Sequence, residues 1–472
     1  VPVQTAIPAF IGYTSKASRG SKDLTNVPTR ISSMGQFEEL FGGAPTTKFN
    51  IESDDSAVGF KLSFVEDSKF LLHSSMRLFY ANGGADCYIV SVGGYDEKID
   101  AAKLNDPKGG GLTALEKFLE PTIVVIPDAI LLDENDCYSL QAAMLQHCGY
   151  KLKNRFAILD VYEGAKERTF DDDDAVDKFR NGVGSNFLQW GASYYPFLNT
   201  TIVSKSEVDF TRIANLDGLS EVLSKEVAEN LEADNITAAR AEGITAEIDK
   251  IPDTTEPDAI NSLNATLTVI SPSLNLILAE VSEMLNVLPP SPAMAGAYTM
   301  VDNQASVAQS PANISLGSVI APVVNINNDN QEELNLPLNG KAVNAIRTFQ
   351  GKGVLVWGAR TLEGNSKDYR YVSVRRTMTF LEQSIKAAAE AFVFAPNNAT
   401  TWSTLRATVS SFLTNQWQSG LLAGQSADDA FSVDIGLGAT MTPNDILDGV
   451  LKMTVKVAIT RPAEFIVITF EQ

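Results

Sequence analysis

Ser75-Met-Arg-Leu-Phe-Tyr-Ala-Asn-Gly-Gly-Ala-Asp-Cys-Tyr-Ile-Val-Ser-Val92 decides how the chain is read. Met76, Phe79 and Tyr80 fall on one helical face, Asn82-Gly83-Gly84 stops the helix, and Cys87 to Val92 is an apolar run of strand length. The rhythm continues downstream. Leu112 to Leu119 and Tyr138 to Leu152 carry helical spacing, and they alternate with the strands Thr122-Ile-Val-Val-Ile126 and Arg155-Phe-Ala-Ile-Leu-Asp160. Strands apolar on both faces and separated by helices predict an α/β layer whose sheet is covered on both sides. Upstream, Pro8 to Tyr13 reads as a buried strand, Val27 to Ile31 as a second, and Ser33 caps a short helix carrying Phe37, Leu40 and Phe41 up to Gly42-Gly43.

Further along the character changes. Residues 204–290 are rich in Ala, Glu, Asn and Leu, with helical stretches at Leu219 to Glu232 and Ile270 to Leu288, and Pro289-Pro290-Ser-Pro292 closes them. This predicts an inserted, mainly helical region. The C-terminal portion has its own pattern. Gly353 to Gly358 and Tyr369 to Val374 read as strands, and Arg375 to Phe392 and Thr401 to Gln418 as amphipathic helices. Phe431 to Leu437 and Leu451 to Ile459 alternate as half-exposed strands, with Thr442-Pro443 starting a helix between them. The expected fold class is a mixed α/β multidomain chain. Residues 1–203 with 291–340 form one α/β domain, 204–290 the insertion and 341–472 a C-terminal α/β domain.

The 472 residues exceed what one core usually organises, which agrees with several domains. No apolar run is long enough for a membrane span, and no basic region precedes an apolar one at the start, so direct membrane insertion is not expected. Three scattered cysteines, Cys87, Cys137 and Cys148, suit a reducing compartment. A net charge of −21 argues against nucleic acid as a partner. From Lys341 onward there are 13 basic and 11 acidic residues, a net of +2 that leaves −23 for the rest, so the two parts are built for different neighbours.

Catalytic chemistry finds little to work with. The two histidines, His73 and His147, lie in separate helical regions, and His147-Cys148 diverge by about 100° on a helix, too far apart to share a metal. Asp171-Asp-Asp-Asp174 lacks the spacing of a calcium loop, and Gly109 to Gly111, Gly351-Lys-Gly353 and Gly436-Leu-Gly438 fit no phosphate-cradling motif. No Gly-x-Ser-x-Gly elbow occurs. The expectation is a protein that is not an enzyme, with no cofactor and no metal.

What remains is the end of the chain. Phe465, Ile466, Val467, Ile468, Thr469 and Phe470 form a strand apolar on both faces at a free terminus. Such a strand is an aggregation hazard unless another subunit's sheet takes it up. If each copy donates to the next, the contact is head-to-tail and builds rings or helices.

Several stretches together resemble the contractile tail sheath family of contractile phage tails, R-type pyocins and extracellular contractile injection systems. They are Ala6 to Tyr13, Ser33 to Gly43, Phe79 to Val90, Arg155 to Asp160 and, above all, Asn344-Ala-Ile-Arg347 through Gly358-Ala-Arg-Thr-Leu362 and Tyr371-Val-Ser-Val-Arg-Arg376. They span most of the chain outside 204–290. The resemblance implies a homo-oligomer of stacked hexameric rings, a helical sleeve around an inner tube, held between baseplate and cap proteins. Contraction drives the tube through a target envelope. It also implies that 341–472 is the inner, tube-facing domain that exchanges terminal strands, and that the insertion faces outward. Arg370, Arg375, Arg376 and Lys386 are then candidates to meet an acidic tube; the alternative is local pairing with Glu382 and Glu390. Assembly in a bacterial cytoplasm and release as a phage-tail-like particle follow from the same resemblance. Relatives of this type carry an extended arm ahead of the first strand, in a place that lies before Val1. An extracellular injection system is the first expectation, with a myovirus tail sheath, a type VI secretion sheath component and a surface-layer protein as alternatives.

Overall fold

Pro8–Gly12 (β1) is buried at every position because the chain covers both of its faces. Ala9 and Ile11 point into one apolar core with Val90, Val124, Ala157 and Leu159. Phe10 points into a second with Ile89, Val125, Phe156 and Ile158. The two-residue period of a strand makes this division, and it explains why these segments show no polar alternation. The computed structural model describes residues 2–469.

After β1 come β2 (Thr29–Ile31), the hairpin β3 (Phe49–Ser53) and β4 (Phe60–Phe64), then β5 (Cys87–Ser91), β6 (Ile123–Val125), β7 (Phe156–Asp160), β8 (Gly191–Tyr195), β9 (Ile314–Ser315), β10 (Asn344–Phe349) and β11 (Gly353–Trp357). All but the hairpin join one nine-stranded sheet in the order β9-β11-β10-β8-β7-β6-β1-β5-β2. Its centre is parallel, from β5 through β1, β6, β7 and β8 to β10.

The helices that cover it follow the sequence signals. Ser33 caps α1 (Met34–Phe41) by accepting from Gln36 N–H. Helix α2 (Leu72–Ala81) ends at Asn82, and Gly83 follows at φ +94°, where a Cβ would also sit 2.7 Å from the Met300 side chain. Only glycine satisfies both constraints. On the other face lie α3 (Glu134–Gln146) and α4 (Ala175–Gly182), burying Leu140, Met144, Val176 and Phe179.

The inserted region contains α5 (Leu216–Glu232), α6 (Ala238–Ile248), α7 (Pro257–Ile270) and α8 (Pro272–Asn286). The helix expected over Ile270 to Leu288 is α8, which starts two residues later because Ser271 caps it and Pro272 opens it; α7 ends at Ile270, and the two meet at 116°. Among the described residues no single helix is long and apolar enough to cross a membrane. The insertion does not close on itself either. Phe49, Ile51, Phe60 and Leu62 of the β3-β4 hairpin supply part of its core, and Asn215 holds Ile51 N–H at 2.9 Å.

Helix α9 (Ser291–Gln304) returns the chain to the main sheet, and α10 (Asn328–Asn335) precedes β10. The boundary expected at 341 is therefore corrected. Strands β10 and β11 complete the main sheet through Tyr194↔Asn344, and the C-terminal unit begins inside α11 (Val372–Glu390). Val372 packs into the main core, whereas Phe380 and Leu381 pack into the C-terminal one. Tyr369 to Val374 is likewise no strand; Tyr371 is the extended residue before α11. Its Val-Ser-Val is β-prone, and burial of that turn against the main core overrides the local preference. Leu112 to Leu119 is a short 3₁₀ turn at Leu112–Lys117, because Gly111 takes a positive φ immediately before it.

Candidate assembly interface

The C-terminal unit packs α12 (Ala399–Gln418) and the second half of α11 against an antiparallel pair, β12 (Phe431–Ile435) and β13 (Met453–Val457). Alternation decides which face is covered. Val455 and Val457 lean on the helices, while Thr454 and Lys456 are exposed. Between the strands, Thr442 caps the turn Pro443–Leu447 through a reciprocal bond with Asp445.

Backbone parity shows what the pair leaves open. Ala458 N–H donates to Ala430 O at 2.8 Å, and Thr460 N–H to Leu421 O at 3.1 Å. Even-numbered residues therefore aim their peptide groups at the β12 side. Met453, Val455, Val457 and Ile459 aim theirs at the opposite edge, where among the described residues no strand pairs. The outer edge of β12 is partly stopped, because the Arg406 guanidinium donates to Ile435 O. A two-stranded ribbon with a free edge is marginal alone and a ready template for a further strand.

The terminal segment leaves this unit without joining it. Residues 461–469 carry no regular secondary structure. Phe465, Ile466, Val467 and Ile468 are 64%, 81%, 88% and 69% exposed, and Thr469 is exposed as well. Phe470 lies outside the described residues. Just before the apolar run, Glu464 is held by Arg360 (2.7 and 2.9 Å), Tyr371 OH (2.9 Å) and Asn335 (2.8 Å). Burial alone would raise the Glu464 carboxyl, but these donors outweigh it and hold the group below its ordinary range. Sequence reading missed this cluster, since its members are far apart in the chain and only the fold brings them together.

The four basic candidates divide. Arg376 is buried and ion-paired to Asp302 at 2.6 Å, with a further bond to Thr5 O at 3.0 Å and the Tyr298 ring 4.8 Å away. Arg375 is also buried, stacked on Trp190 at 4.1 Å and Tyr369 at 4.4 Å, and reaches Glu382 at 3.4 Å. Both are spent inside the chain, so the expectation that they face a partner is corrected: Arg375 takes the local pairing with Glu382 weighed beside it, whereas Arg376 pairs with Asp302, outside that alternative. Arg370 is half-buried and donates to Ser366 O at 3.1 Å. Lys386 is exposed, at a cleft of about 410 Å³ that also meets Val3 and Glu390.

The residues reviewed for chemistry sit apart. His73 contacts Glu38 at 3.1 Å on the α1-α2 side. His147 lies against Arg155 at 3.0 Å, where burial and then that cation push its pKa down to about 3. Asp174 is an N-cap that pairs with Arg168 at 2.9 Å. Among the described residues no group of three or more His, Cys, Asp or Glu is placed to hold a metal.

Residues 365–472 match the family model described as the phage tail sheath C-terminal domain. No curated protein sequence matches the chain. Among solved structures, the PVC sheath complex of an extracellular contractile injection system in its contracted state is 26% identical, covering 100% of this chain and 93% of that one at a TM-score of 0.60. The helical sheath of the anti-feeding prophage in its contracted state is 25% identical over 100% and 94%, at a TM-score of 0.61. A chain of the contracted anti-feeding prophage baseplate shares the fold at 24% identity and a TM-score of 0.68, over 100% and 94%.

Proposed function

We propose that the chain is a member of the contractile tail sheath family and the subunit of a helical, contractile sleeve of an extracellular injection system, joined to its neighbours by donated terminal strands. One observation carries the strand donation: the same chain holds an apolar segment 64–88% exposed and a ribbon with a free peptide edge. Donor and acceptor on one molecule make a head-to-tail contact, which propagates into rings or helices. The incoming strand meets the amides of Met453, Val455, Val457 and Ile459.

In this reading the sleeve stacks hexameric rings around an inner tube between a baseplate and a cap, and the subunit does mechanical rather than catalytic work. Extended and contracted sleeves differ in how the main domains pack while the strand links persist; the difference in burial drives contraction, with no nucleotide consumed. With Arg375 and Arg376 internal, Arg370 and Lys386 remain the candidates to face the tube. Three buried thiols, Cys87, Cys137 and Cys148, support assembly in a reducing cytoplasm before release as a phage-tail-like particle.

The test is truncation before Phe465, followed by sedimentation and negative-stain microscopy. The full chain is expected to give striated sleeves, and the truncated chain to remain monomeric at the same concentration. Long sleeves from the truncated chain would refute strand donation.

A further inference from the structure

Between Thr460 and Glu464 the chain changes hosts. Thr460 belongs to the C-terminal unit, its N–H on Leu421 O at 3.1 Å and its hydroxyl on Gly420 O at 2.8 Å. Four residues later the Glu464 carboxylate is held entirely by side chains of the main domain: Arg360 after β11, Tyr371 at the start of α11 and Asn335 at the end of α10. Arg360 is 3% exposed, and without Glu464 it would be a buried cation lacking its counter-charge.

These donors are themselves fixed. Arg360 N–H donates to Asn344 Oδ1 at 2.8 Å, and Asn344 Nδ2 returns bonds to Arg360 O at 2.8 Å and Ser193 O at 3.1 Å, in the middle of the sheet. Asn335 stands two residues beyond Glu333, which Arg180 holds at 2.5 Å from α4. A continuous set of hydrogen bonds thus runs from the arm to the parallel sheet, whereas Phe465 to Thr469 make no such contact among the described residues.

We propose that Glu464 is a clasp that roots the terminal arm in the main domain, so that the arm moves with that domain and not with the ribbon it leaves. The proposal rests on the arm being a donated strand. The clasp does two things for such a strand. It moves the point of attachment from Thr460 to Glu464, which removes four residues, or roughly 14 Å, from the arm's reach. It also makes Arg461-Pro-Ala463 a short tie between the two units, so any rotation of the main domain against the ribbon pulls on the neighbour that holds the arm. A rotation of main domains would then be transmitted from subunit to subunit through a fixed lever.

The experiment uses the full chain with spin labels at Val467→Cys and Asp329→Cys; the native cysteines are buried and resist labelling. Pulsed electron spin resonance on the unassembled subunit measures the distance distribution between arm and main domain. The distribution is expected to broaden at least twofold in Glu464→Gln, and by a smaller amount in Tyr371→Phe, which removes one donor and leaves the charge pair. An unchanged width in both variants would overturn the clasp. The sleeve supplies the second readout: Glu464→Gln is expected to polymerise with an irregular axial repeat. A native, uniform repeat from that variant would overturn the clasp alone, since strand donation is judged separately by the chain truncated before Phe465.

Discussion

The ion pair between Arg376 and Asp302 offers the most direct check on how α11 is tied to the main body. Both side chains are nearly inaccessible, 5% and 2% exposed, and the carboxylate takes two bonds from the guanidinium, at 2.6 and 3.0 Å. Asp302→Ala removes both and leaves the cation with only Thr5 O and the Tyr298 ring. Stranding a buried partner in this way costs about 3–5 kcal/mol. For a domain of this size, at roughly 2 °C per kcal/mol, the main thermal transition should fall by about 6–10 °C. The double variant Asp302→Ala with Arg376→Met removes the stranded charge and should recover most of that loss, because an ion pair replaced by apolar groups is often near neutral. Calorimetry of the unassembled subunit, with both single variants and the double, closes the cycle. A single-variant loss under about 1 kcal/mol, or a double variant as damaged as the single, would refute the buried-pair argument and reopen Arg376 as a surface group.

Two further outcomes follow from the same geometry. Val455→Pro deletes a peptide N–H that faces the open edge, so it should leave the monomer's melting nearly unchanged and abolish sleeves in the microscope, whereas Lys456→Pro removes a bond to β12 and should damage the fold itself. Asp160 is buried beneath the start of α9; burial, only partly offset by its bonds from Ser291, raises its pKa to about 7, well above the ordinary 3.8. A raised folded-state pKa means that the neutral form favours folding. This contribution is complete below about pH 4 and is lost as pH rises through 7, so stability should decline between about pH 4 and 7 and level off above that, and the Asp160→Asn variant should flatten that slope in thermal melts.

The sequence was most legible where periodicity and punctuation coincide. Cys87 to Val90 and Phe156 to Leu159 are apolar at every position, so no partner had to be known to read them as covered strands. Thr442-Pro443 and Ser33 carry their caps in the local sequence. Legibility failed where tertiary contacts decide. Asn344–Phe349 looks like the opening of a C-terminal domain until Asn344 is seen beside Tyr194, and Phe49–Phe64 gave no sign of serving the insertion's core. Arg375 and Arg376 read as two surface cations on a helix, yet Trp190, Tyr369, Asp302 and Tyr298, all remote or unassignable in sequence, bury them. The Glu464 cluster draws on residues 335, 360 and 371, a constellation that no local spacing rule could have produced.

The energetics of one arm explain why assembly should be all-or-none. Burying Phe465, Ile466, Val467 and Ile468 from their present exposure contributes roughly 4–9 kcal/mol at the usual 1.5–3 kcal/mol per large apolar side chain. Ordering the backbone of Phe465 to Thr469 costs about 5–10 kcal/mol at 1–2 kcal/mol per residue. The two nearly cancel, leaving the ladder bonds to the β13 edge, each worth about 1 kcal/mol net, to hold a single exchange. A pair of subunits linked by one arm is thus marginal. A subunit within a ring both gives an arm and receives one, and its second contact forms without a second loss of translational freedom. Growth should therefore start from a closed ring, with a lag that shortens steeply as concentration rises. Light scattering that climbs without a lag, or dimers that accumulate in sedimentation before any sleeve appears, would show that a single arm binds far more tightly than this balance allows.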